Sequence, residues 1–164
     1  MHNLISLDYP DNNEFAELLN SCGSMTEQLK KLHYDFSVEL LKTEIVDNKI
    51  SRYTLLKLNN IPVIIAESSC LISDTVFYEI IKNADTTPIG KYLFAKNSHI
   101  IRSNVETTQI KSSDITNSQI IQSFLLNNFS PLQFFWLRTS VFRHSQQQMN
   151  LNETILPNIY KFIN

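Results

Sequence analysis

PLQFFWLRTSVFRHSQQQMNLNETILP, residues 131–157, decides the architecture, because two long apolar-rich runs meet there at a short polar break. The halves, up to His144 and from Gln147, read as two strands around Ser145-Gln146-Gln147, a hairpin. Strands joined by so short a connection are antiparallel, since a parallel pair needs a crossover of about a dozen residues or more. Within the second half, Glu153 interrupts a segment that otherwise alternates as a half-buried strand does. A carboxylate so close to a core requires a reason.

The same pattern recurs upstream. Phe36, Val38 and Leu40 alternate with polar neighbours, and residues 52–58 and 61–67 read as a second and third strand joined at Asn59-Asn60. Asparagine tolerates positive φ, so this is a two-residue type I′ turn. Pro62 fits there if its missing N–H faces solvent or a loop. Helical spacing appears at 13–21, with Phe15, Leu18 and Leu19 on one side. Ser24-Met25-Thr26-Glu27 reads as a capping box opening a helix to about His33. Further helices are expected over 75–82, from Pro88 into IGKYLF, and over QIIQSFLLN, while 98–110 reads as extended. Helices inserted among antiparallel strands predict an α+β fold, a single antiparallel sheet in one domain spanning residues 1–164.

Composition narrows the chemistry. At 164 residues the chain can bury roughly 70% of the surface its unfolded form exposes. A net charge of −2, with Lys30-Lys31 the only basic run, supplies no field for nucleic acid or anionic lipid. Two glycines, Gly23 and Gly90, cannot make GxGxxG, and Asp85 stands where a P-loop ending at Gly90-Lys91 needs its first glycine. Cys22 and Cys70 lie far apart and read as reduced structural thiols, and the four histidines form no metal-binding pair. MHNLISLDYPDNN has neither a basic nor a long apolar region, so no leader is expected, and no run is long enough to span a membrane.

Two strand charges remain, Arg52 and Glu153. Each can face solvent or pair at a sheet margin, or the two can converge on a small anionic ligand. A guanidinium holds a carboxylate in a bidentate fork, and a buried carboxylate needs a donor such as a ligand hydroxyl. Spacing does not choose between these. Arg102, Arg138 and Arg143 add cations, and the odd separation of Arg138 from Arg143 sends them to opposite faces of a strand. No serine or cysteine has an adjacent histidine with an orienting acid.

Four blocks together resemble the chorismate pyruvate-lyase family: SMT at 24–26, SRYTLLKLNNIPV at 51–63, TTPIGKYLF at 86–94 and WLRTSVFRHSQQQMNLNETILP at 136–157. They cover about a third of the chain, and TTPIGKYLF is the most specific of them. Leu137 departs from the family's glycine, the terminal turn is glutamine-rich, and 103–130 is longer than in the bacterial enzyme. The resemblance implies a chorismate lyase-like fold and a cofactor-independent carbon–oxygen lyase. Such an enzyme makes 4-hydroxybenzoate and pyruvate from chorismate for quinone biosynthesis. It implies Arg52 on the ring carboxylate, Glu153 on the 4-hydroxyl, Met25 and Ile89 in backbone contact with product, and Arg138 among the candidates for the pyruvyl carboxylate. It implies a monomer with no cofactor, metal, nucleic acid or membrane partner. The variants it resembles, with the AT-rich composition, place it in a plastid or a bacterial cytoplasm. A second class with this fold is the non-catalytic effector-sensing domain, or a degenerate homologue, that binds a small aromatic carboxylate without turning it over. A self-contained repressor is not expected, since 23 residues precede Ser24 and no basic recognition helix is present.

Overall fold

A computed structural model describes residues 13–115 and 118–163; the N-terminal stretch on which the leader expectation rests lies outside the described residues but for Asn13. Seven strands form one antiparallel sheet: β1 (Phe36–Val46), β2 (Lys49–Leu58), β3 (Ile61–Leu71), β4 (Ile101–Arg102), β5 (Glu106–Lys111), β6 (Phe134–His144) and β7 (Gln147–Ile155). Their order is β1-β2-β3-β7-β6-β4, with β5 also paired to β6. Among the described residues five α-helices are interspersed: α1 (Asn13–Asn20), α2 (Met25–Lys30), α3 (Thr75–Asn83), α4 (Gly90–Leu93) and α5 (Gln119–Asn128). The α+β antiparallel expectation therefore holds.

Turn chemistry sets the register. Asn59 and Asn60 have φ of 47° and 63°, as a type I′ turn requires. Asp47 and Asn48, at 49° and 61°, make a second such turn between β1 and β2 that the sequence reading passed over. Pro62 sits where the β2–β3 register shifts, between Leu56 and Lys57, so the ladder has already broken where an N–H is missing. Two local expectations are corrected. Ser24 occupies the N-cap of α2 without a side-chain capping bond, and α4 is a single turn starting at Gly90.

Alternation then builds the core. One face carries two apolar clusters, at opposite ends of the strands. In the first, Leu56, Ile64 and Ile155 pack with Phe15, Leu19 and Leu29 of the N-terminal segment. In the second, Ile50, Cys70, Met149 and Phe142 pack with Phe77 and Ile81 of α3. On the other face, Tyr53, Leu55, Ile65 and Phe135 pack under Ile121 and Leu125 of α5. Between the two clusters of the first face lies a polar interval, and the charges under discussion sit in it.

Candidate functional site

In-register partners of an antiparallel sheet project to the same side. Arg52, Ser68, Leu151 and Ser140 thus form one row across β2, β3, β7 and β6. Thr54, Ala66, Glu153 and Arg138 form the next. β2 and β7, which carry Arg52 and Glu153, are two strands apart, roughly 10 Å, and the two residues lie in adjacent rows. The small Ala66 and Ser68 between them leave a cavity floor. The cavity has apolar walls from Leu56, Leu93, Phe94 and Leu151, and Arg102 also opens onto it.

Arg52 is 2% exposed. Its Nε donates to the Asp85 carbonyl at 3.1 Å, and its Nη2 donates to the carbonyls of Asp85 at 2.6 Å and Thr87 at 3.0 Å. Among the described residues it forms no ion pair with a carboxylate. Burial lowers its pKa to about 10, with the Asp85 charge opposing, so the guanidinium stays charged at neutral pH. A buried cation whose hydrogen bonds go to main-chain carbonyls favours an incoming anion.

Glu153, also buried, is already paired. Its Oε2 lies 3.6 Å from Arg138 Nη1 and 3.8 Å from Arg102 Nη2. Burial pushes its carboxyl above the ordinary range, and Arg138 and then Arg102 oppose that shift. Arg138, one strand beyond Glu153 on the same face, does not line the cavity and is wholly excluded from solvent. Its Nη2 donates to the Ser21 carbonyl at 2.7 Å, and its Nη1 approaches Met25 Sδ at 3.5 Å. Arg102 donates to Ser140 Oγ and to the carbonyls of Cys22 and Gly23, and its guanidinium lies over the rings of Phe94 and Phe142.

The structure brings Arg52, Glu153, Met25 and Ile89 to one cavity, with Arg138 beside Glu153 but outside its lining. Arg143 is exposed on the opposite side of the sheet, as its odd separation from Arg138 requires. Arg102, unranked from sequence, reaches the site from a two-residue strand. Spacing carries no signal for it, because its place is set by carbonyls some eighty residues away. Cys22 and Cys70 are free thiols, and the described residues hold no metal-binding cluster. No helix among them is long and apolar enough to cross a membrane.

A seven-stranded α+β sheet with a buried, arginine-lined cavity defines the class of fold. No protein-family model and no curated protein matches the chain. Among solved structures, it is similar to the effector domain of PhnF from Mycobacterium smegmatis, at 11% identity and a TM-score of 0.56. That match covers 83% of this chain and 90% of that one. A second PhnF structure from the same organism matches at 9% identity and a TM-score of 0.57, covering 87% of this chain and 66% of that one. These likenesses carry the fold.

They also correct the reading of the chain as an enzyme. The matched structures are of PhnF and its effector domain, and the lyase reading of Arg52 and Glu153 finds no support in them. The plastid setting likewise finds no support among the matched structures.

Proposed function

We propose that the chain is a non-catalytic binding domain that takes a small aromatic carboxylate between Arg52 and the Glu153–Arg102 pair. The observation that carries this reading is the Arg52 guanidinium, buried at the cavity wall with no carboxylate partner among the described residues. A ligand carboxylate completes it through charge-assisted hydrogen bonds. Leu93, Phe94 and Leu151 offer apolar contact to a ring. At the far end Glu153 accepts a hydrogen bond from a ring hydroxyl, with its charge balanced by Arg102 and Arg138. A span of roughly 10 Å between the two strands suits one ring with polar groups at opposite ends.

Isothermal titration with benzoate, 4-hydroxybenzoate and the neutral isostere benzamide tests this. The two acids should bind, with 4-hydroxybenzoate the tighter. Benzamide, and either acid with Arg52→Met, should bind at least about 10-fold more weakly, the weight of one hydrogen bond to a charged group. Equal binding of acid and amide would remove the assignment.

A further inference from the structure

α5 covers only part of the sheet face opposite the cavity, the part built from Tyr53, Leu55, Ile65 and Phe135. Beyond it the same face turns polar. In-register pairing sets Ser69 beside Asn150, and puts Glu67, Asn152, Thr139 and Glu106 in one row across β3, β7, β6 and β5. These residues line an open hollow of about 630 Å³, within the ~300–1,000 Å³ range of small-molecule sites. Val141 alone is apolar among its described lining residues, so the hollow offers no apolar core to a protein partner.

Glu67 points to an occupant. It is 4% exposed, yet its contacts are long. Oε1 accepts from Ser51 Oγ at 3.4 Å and lies 3.6 Å from Lys49 Nζ, and among the described residues no donor is placed on Oε2. A buried carboxylate so loosely held gains from a further donor. Around it, the side chains of Ser69, Thr139, Asn150 and Asn152 make no hydrogen bond among the described residues. Lys49 and Arg143 balance Glu67 and Glu106 in charge, so the hollow as a whole favours neither anion nor cation. Alcohol hydroxyls both donate and accept, which is what a carboxylate and two side-chain amides together require. The row from Glu67 to Glu106 crosses three strand intervals, roughly 14 Å, room for two linked sugar rings. We infer that this hollow is a second binding site, on the face away from the arginine-lined cavity, for a neutral polyhydroxylated ligand of disaccharide size. Glu67 accepts from its hydroxyls, and Asn150 and Asn152 both donate to them and accept from them.

Nitrogen–proton NMR of the labelled protein tests this, with maltose, sucrose and lactose as probes. At least one of the three should shift the side-chain amide resonances of Asn150 and Asn152 saturably, because both groups lie on this face. The affinity should not change with added salt, as befits a neutral ligand. It should fall at least about 10-fold in Asn152→Leu, the loss of one or two hydrogen bonds. Thr139→Val, nearly equal in volume at a half-buried position, should weaken binding about 3-fold, and the dispersion of its amide resonances reports that the fold is kept. Excess 4-hydroxybenzoate should not displace the sugar. The site is overturned by no saturable shift with any of the three sugars, or by saturable binding that leaves both asparagine amides unmoved. Affinity that falls with salt, displacement by 4-hydroxybenzoate, or undiminished binding in both variants overturns it equally. A protein that binds none of the aromatic acids would remove the reading of the cavity and leave this site standing.

Discussion

Arg138 stands directly across the β6–β7 ladder from Glu153, its Nη1 3.6 Å from the carboxylate and its side chain closed off from solvent. The pair is the sheet's answer to a carboxylate among apolar neighbours. Two ions taken from water lose hydration, and their attraction roughly restores it when the geometry is good. Removing one partner leaves the other buried and uncompensated.

Arg138→Met should therefore lower the free energy of unfolding by roughly 3–5 kcal/mol, measured by urea denaturation. Arg138→Met with Glu153→Gln should lose less than the sum of the single losses, because the residues are coupled. Strict additivity would show that the two side chains act independently.

Stability should also depend on pH through Glu153. Burial raises its folded pKa above the ordinary 4.5, so the folded state holds this proton more firmly than the unfolded chain. The contribution is fully present below the unfolded pKa and is lost as pH rises through the folded value. Wild-type stability relative to Glu153→Gln should fall as pH rises above about 4.5 and then level off. A relative stability that climbs over the same range would mean that the two arginines outweigh burial.

Asn59 and Asn60 both hold positive φ at the β2–β3 turn. Asn60→Gly should keep or slightly raise the melting temperature, whereas Asn60→Val should destabilise by about 1–3 kcal/mol, the strain of a β-branched residue in that region. Thermal unfolding followed by circular dichroism separates the two; a neutral valine would contradict the register these turns impose.

How much of this was readable in advance follows from the range of the forces involved. The hairpin at Asn59-Asn60, the β6–β7 hairpin and the helices α1, α3 and α5 rest on local turn chemistry and periodicity, which a sequence carries directly. The full length of β1 was hidden, because Thr43, Glu44, Ile45 and Val46 are exposed or only partly covered at the sheet edge and blur the alternation. Arg52 and Glu153 were legible as strand charges out of keeping with their surroundings. Their partners were not. Arg52 takes its acceptors from residues 85 and 87, and Arg102 from residues 22 and 23. Such contacts exist only after the chain has closed on itself. The sequence blocks carried the fold, whereas the shape of the cavity depends on which carbonyls hold each guanidinium.

The central claim, non-catalytic binding of a carboxylate by Arg52, is tested most directly by carbon NMR of 4-hydroxybenzoate labelled at its carboxyl carbon. Added to the wild type, the carboxyl resonance should move on binding, stay unmoved with Arg52→Met, and return to its free position, chemically unchanged, when the protein is removed. A resonance that moves equally with Arg52→Met, or a ligand recovered as a different compound, would contradict it.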